Sequence, residues 1–349
     1  MTNNGGDNST EPSNFSLGFF YGVSLVALIS SVALYISKIS FVKSLVISPL
    51  IIGILLGMIF ANTIRNKISS TWQPGILFSA KTLLRIAIIF YGFRITFQQI
   101  ASIGLEGLSL SVIMLTSTMI IGVLIGIKFL KMDKHTAILI ASGSAVCGAA
   151  AVLATEDVLK SEPHKTAIAI GTVVLFGTLS MFLFPIMFKS GILNMDYTQY
   201  GLYVGGSIHE VAQVVAAGDA VDSVSSDTAV IVKMTRVMLI APMLLVLGLF
   251  LMRVKNTTNP IKTPLIVPWF AILFIAVAGF NSLDLLPKQL VTNINTVDTF
   301  LLTMAMAALG METHLGKFKQ AGLKPVLLAL LIFVWLLIGG YLITLFISS

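Results

Sequence analysis

Four cations stand inside stretches apolar enough to cross a membrane: Lys81 and Arg85 in the third such stretch, Lys233 and Arg236 in the eighth. A basic side chain at mid-bilayer costs about 2.5–3.5 kcal/mol on insertion scales, so such residues face a partner, a cavity or a solute path. The chemistry they offer is anion recognition, because a Lys point charge and a planar Arg fork both donate charge-assisted hydrogen bonds to an oxyanion. The competing use is structural: the same cations could pair with Glu210, Asp298 or Glu312 and hold helices together.

Backbone can serve the same solute. Residues 141–151 are nearly all small and include Ser142, Gly143, Ser144, Cys147 and Gly148 at the centre of an apolar stretch. Gly weakens a helix by about 1 kcal/mol relative to Ala, and unwound backbone survives at membrane depth only where it lines a cavity or is buried in protein. The pattern predicts a break near 143–148. A half-helix starting at Cys147 or Gly148 would then turn free N–H groups and a positive dipole end toward an anion. Residues 304–313, with Gly310 and Glu312, occupy the matching place in the tenth stretch and predict a second break. Close helix packing through small residues is the alternative at both places.

The seventh stretch carries Gly205-Gly206-Ser207-Ile208-His209-Glu210-Val211-Ala212-Gln213. On one continuous helix His209 and Gln213 would share a face, with Glu210 turned away. They are candidate ligands for an oxyanion, and His209 could change charge near neutral pH. His209, Glu210 and Glu312 are therefore the coupling candidates, while a histidine bonded to a backbone carbonyl is the plainer use. Asp219, Asp222 and Asp227 read as a solvated loop. The run His209-Glu210-Val211-Ala212-Gln213 is one residue from H-E-x-x-H, in which two histidines four apart hold zinc. Gln213 replaces the second ligand, and His135, His164 and His314 fall at the ends of stretches. An intramembrane metalloprotease is thus a distant alternative, and neither catalysis, a metal nor a cofactor is expected. No Gly-rich loop ending in Lys-Ser/Thr is present, so a gradient rather than ATP must drive transport by this chain.

These residues need an all-α scaffold. The chain is 56% hydrophobic and 11% charged, with a mean hydropathy of +0.96, which marks a polytopic membrane protein. On a ruler of about 20 residues per span there are about eleven transmembrane helices. They run approximately 16–37, 45–63, 74–96, 106–127, 134–158, 165–188, 198–218, 228–252, 264–281, 294–313 and 324–347. Residues 1–15 read as a disordered tail and 16–349 as one transmembrane domain. Lys and Arg in the connections divide unevenly: twelve, among them Arg65, Lys131 and Arg253, against Lys38, Lys43, Arg94, Lys160, Lys165 and Lys288. The positive-inside rule then sets the N-terminus in the cytoplasm and the C-terminus outside a cytoplasmic membrane. The net charge of +7 follows from that asymmetry and needs no nucleic-acid partner. Cys147 is the single cysteine, so no intrachain disulfide forms.

The halves resemble each other weakly. Lys81 and Arg85 precede Lys233 and Arg236 by 152 and 151 positions, and Lys165 precedes Lys324 by 159. Equivalent spans are five apart in order, an odd number, so two five-helix repeats, about 45–188 and 198–347, would insert with opposite orientation, leaving the first span as an extra N-terminal helix.

The order of Ser144-Ala145-Val146-Cys147-Gly148-Ala149, then Gly206 to Gly218 with its His-Glu-Val-Ala-Gln-Val-Val-Ala-Ala-Gly run, then Val232-Lys233-Met234-Thr235-Arg236 with Pro242, then Gly310-Met311-Glu312-Thr313, resembles the YeiH-type family, whose name points to sulfate export. That family is similar in turn to the cation/proton antiporter and bile-acid symporter superfamily. The resemblance implies inverted five-helix repeats with crossed, broken helices and transport of a small anion: sulfate, sulfite, or an organic sulfonate or carboxylate. Which anion, and whether the protein self-associates, stay open. The chain departs from the antiporter branch in having no carboxylate within 141–151, which removes the ligand that sodium or proton exchange would use there and leaves a cation/proton antiporter-like transporter as the alternative.

Overall fold

The computed structural model describes residues 12–39, 48–64, 69–255, 269–313 and 322–348, and among them the secondary structure is entirely helical. Among the described residues seven helical stretches are long and apolar enough to cross a membrane: Leu17–Ser37 within α1 (Pro12–Ser37), α3 (Ser70–Arg94), α4 (Phe97–Phe129), α7 (Pro163–Lys189), Ser223–Leu251, α13 (Lys288–Glu312) and α14 (Leu323–Ile347). Ser223–Leu251 joins α10 (Ser223–Met238) to the start of α11 (Ile240–Lys255). Two shorter apolar helices are α2 (Pro49–Thr63) and α12 (Trp269–Asn281). Four short helices fill the rest: α5 (Lys134–Ala145), α6 (Ala149–Leu159), α8 (Tyr197–Ser207) and α9 (Val211–Asp219). The chain is thus an all-helical, multi-pass membrane protein. The expected tail coincides with undescribed residues only up to 11, since α1 already begins at Pro12. His314 and the loop cations Lys43, Arg65, Lys67, Lys262, Lys317 and Lys319 lie outside the described residues.

Local sequence accounts for the helix starts. Ser48 accepts the Leu50 N–H ahead of Pro49, whose fixed φ suits the first turn. Thr96 with Gln99, and Asp196 with Gln199, form capping boxes at α4 and α8. Asp133 accepts from Thr136 at the start of α5, and Asp222 from Val224 at the start of α10.

The chain divides into two compact units, residues 1–87 with 297–314 and residues 88–296 with 315–349. In the first unit α2 lies directly on the second half of α13. A Cβ on Gly57 would meet the Ala307 carbonyl, and one on Gly310 the Ile54 carbonyl, so only glycine allows this approach. Val26, Ile76, Ala80, Met304, Ala308 and Met311 form the buried cluster of this unit.

That packing corrects one expectation. The tenth stretch is not interrupted: Lys288–Glu312 is a single helix. The Met and Ala residues of 304–308 are good helix formers and outweigh one glycine, and the small residues serve close packing. The partner of the broken fifth stretch is the seventh, which the sequence reading took as continuous. Both break in the second unit, between α5 and α6 and between α8 and α9.

Candidate functional site

α5 and α8 end in the same way, each on a Gly-Ser pair with at most one residue beyond it: Gly143-Ser144-Ala145 and Gly206-Ser207. Three non-helical residues follow in each case, 146–148 and 208–210, before α6 and α9 begin. The break in the fifth stretch therefore lies at the later edge of the interval expected, and its half-helix starts at Ala149, with Gly148 as the preceding cap at φ +77°. That φ is open to glycine and strained for other residues. A Cβ there would also collide with Glu210.

A helix that stops inside protein leaves carbonyls without amide partners and a partial negative charge at its end. Here α10 supplies the partners. Lys233 Nζ donates to Val146 O and to Ile208 O, both at 2.7 Å. Arg236 Nη1 donates to Gly206 O at 2.5 Å and Gly205 O at 3.3 Å, and its Nη2 to Ala145 O at 2.5 Å and Ser144 O at 3.3 Å. Both side chains are fully buried. Each cation bridges the broken end of α5 to that of α8, so the two breaks meet at one place.

The opposite ends are tied by one carboxylate. Glu210 Oε1 accepts the N–H of Ala149, the first residue of α6, at 3.3 Å. Glu210 is also the N-cap of α9, and its own N–H donates to Gln213 Oε1 at 3.3 Å. Gln213 is fully buried and reaches Thr178 on α7 through Nε2 at 3.4 Å. The crossing thus has cations on the negative helix ends and an anion on the positive ones.

This geometry revises the reading of His209. Glu210 has extended backbone and α9 starts only at Val211, so His209 and Gln213 do not share a helical face. The Glu-x-x-Gln spacing that caps α9 is the reason. For the same cause the segment is not the single helix a zinc protease needs. Among the described residues no group of three His, Cys, Asp or Glu could hold a metal ion.

At the two breaks and on the cations that bind them, four buried polar atoms have no hydrogen-bond partner: Ser144 Oγ, Ser207 Oγ, His209 Nδ1 and Arg236 Nε. Ser142 is committed to Leu139 O at 3.0 Å within α5, and Cys147 is a free, buried thiol in the break itself. The other candidates belong to the first unit. Lys81 lies in a π-helical turn, Ser79–Leu83, and its side chain and that of Arg85 are exposed. Glu312 accepts from Gln73 Nε2 at 2.7 Å, and Gly310 packs on α2.

Sequence reasoning missed Asp227. It is not in a solvated loop but one turn into α10, partly buried, where Tyr91 donates to its Oδ1 at 3.0 Å. Its place on the helix that carries Lys233 and Arg236 was the available signal. The Gly-Ser pair repeated at 143–144 and 206–207 likewise announced the second break.

The fold and the buried charged crossing define a multi-pass membrane protein with two broken helices. Residues 21–329 match the family described as Conserved hypothetical protein 698, and the chain belongs to that family. It is 51% identical over 324 residues to a UPF0324 membrane protein of Bacteroides thetaiotaomicron, covering 92% of this chain and 96% of the relative. It is 47% identical over 331 residues to a UPF0324 membrane protein of Haemophilus influenzae, covering 95% and 98%. It is 47% identical over 322 residues to the UPF0324 inner membrane protein YeiH of Escherichia coli O6:H1, covering 92% of each. No solved structure matches the chain.

Proposed function

We propose that the chain is a secondary transporter that carries a small anion, such as sulfate, sulfite or an organic sulfonate or carboxylate, across the cytoplasmic membrane by alternating access and without chemical change. The supporting observation is the set of buried, unpartnered atoms at the two breaks. Arg236 Nε–H can only donate, the hydroxyls of Ser144 and Ser207 donate readily, and His209 adds a ring nitrogen. A donor-rich set beside buried cations suits an oxyanion and not a metal cation. The N-terminus is placed in the cytoplasm and the C-terminus outside, on the distribution of Lys and Arg. A name in the family, inner membrane protein YeiH, fits this location.

One observation favours a second reading, exchange of the cation/proton antiporter type. The fifth stretch lacks a carboxylate, but Glu210 from the seventh brings one to the start of α6.

The test is uptake into proteoliposomes of radiolabelled sulfate, sulfite, thiosulfate, taurine and small carboxylates. Saturable uptake of at least one, reduced at least tenfold by Ser144→Ala with Ser207→Ala in a folded protein, is expected. No uptake of any anion, together with sodium/proton exchange lost in Glu210→Gln, would replace the first reading by the second.

A further inference from the structure

Tyr91 is 1% exposed, and its hydroxyl has two neighbours on α10: Asp227 Oδ1 at 3.0 Å and Ser226 Oγ at 2.8 Å. Ser226 Oγ in turn lies 3.5 Å from the carbonyl of Val215 on α9. The charged and titratable groups facing Asp227 are Tyr91 and Arg94 from α3, Asp219 from the end of α9 and Asp222 from the turn before α10. Arg94 lies over the Tyr91 ring, 4.8 Å from its centroid, and donates to Asn295 O at 3.0 Å.

A phenol and a serine carry one proton each, so they cannot donate to every acceptor in this chain at once. With Asp227 ionised, Tyr91 must donate to Asp227, and Ser226 donates to its nearer acceptor, the Tyr91 oxygen. With one proton added at Asp227 Oδ1, the carboxyl donates to Tyr91, Tyr91 donates to Ser226, and Ser226 is turned onto Val215 O. Uptake of that single proton reverses every donor between α10 and α9.

We propose that Asp227, Tyr91 and Ser226 are a proton-binding relay that signals the protonation of Asp227 to α9, the half-helix capped by Glu210. α10 links the relay to Lys233 and Arg236, six and nine residues further along the same helix, so the proton has a mechanical route to the crossing. That last role, proton coupling of transport, rests on the transporter reading; the relay itself does not.

The full chain in lipid nanodiscs is titrated by infrared difference spectroscopy. The expected result is a protonated-carboxyl stretch that grows on acidification, is absent in Asp227→Asn, is displaced in Tyr91→Phe, and persists in Asp219→Asn and Asp222→Asn. Persistence of the band in Asp227→Asn would overturn the relay. So would an unshifted band in Tyr91→Phe, a variant that keeps the ring beneath Arg94 and decides the matter should Asp227→Asn fail to fold. Flux of the same radiolabelled anions against pH in these variants is the separate arm for coupling. A confirmed band with no flux of any of them would reject the anion-transport reading and leave the relay standing.

Discussion

Lys233 and Arg236, three residues apart on α10, hold the same two broken helices at successive depths. Lys233 binds the carbonyls of Val146 and Ile208, just past the ends of α5 and α8, while Arg236 binds Ala145 and Gly206, just inside them. Buried cations in a membrane protein invite a reading as solute ligands alone. Here most of their donors are spent on backbone, and only Arg236 Nε is left among the guanidinium nitrogens.

Loss of either cation should therefore weaken the fold as well as any solute site. Lys233→Met and Arg236→Met are each expected to cost at least about 2 kcal/mol, because each leaves two or more buried carbonyls unpaired at about 1–3 kcal/mol apiece. Arg236→Lys should recover only part, because one ammonium cannot replace a fork that reaches four carbonyls. Thermal unfolding of the detergent-purified variants measures this. A wild-type melting temperature in Arg236→Met would show that the carbonyls find other partners.

Gly148 and Glu210 form a second coupled pair. Gly148→Ala forces a side chain into a positive-φ position and against Glu210, with an expected loss of about 1–2 kcal/mol or more. Glu210→Ala removes the carboxylate from α6 and the cap from α9, at about 1–2 kcal/mol. The double variant should lose less than the sum, because Glu210→Ala also removes the clash. Strict additivity in a double-mutant cycle would disprove the contact.

The membrane class, the cations and the fifth break were legible in sequence because each is a local departure from an apolar, helix-forming background. The tenth and seventh stretches were misjudged for the converse reason. Gly310 departs from that background too, but its meaning depends on α2 lying against it. The break at Ile208–Glu210 hides behind residues that would also suit a continuous amphipathic helix. That Glu210 reaches Ala149 is a contact 61 residues apart, and no local pattern encodes it.

In the first unit, Gly310→Val should separate α13 from α2, since its Cβ would meet the Ile54 carbonyl. A loss of about 1–3 kcal/mol is expected from overpacking at this site, with Gly171→Val as a control, where the backbone is helical and no atom lies within 4 Å of an added Cβ. Equal stability of the two variants would contradict the close approach.

Asp133, at the start of α5, provides the pH-dependent case. Partial burial opposes its ionisation, but hydrogen bonds from Thr136 N–H and Oγ and from Lys165 prevail and hold the carboxyl below the usual carboxylate range. A depressed acid stabilises the fold above its unfolded pKa and loses that contribution as pH falls through the folded value. Wild type should accordingly lose stability relative to Asp133→Asn as pH drops from about 5 to 3. Parallel melting curves over that interval would remove Asp133 from the account.

The separation between Arg236 and the carbonyls it binds has a consequence for biogenesis. Ala145 and Arg236 are 91 residues apart, so the ribosome delivers α5 and α6 to the insertion machinery long before α10 exists. Until then the carbonyls of 144–146 have no donor, and hydrocarbon provides none. The nascent chain must keep this segment hydrated or shielded and insert it for good only when α10 arrives. Truncations ending before Ser223 should therefore leave α5 and α6 open to alkylation at Cys147 from the aqueous side, whereas chains extended past Met238 should protect it.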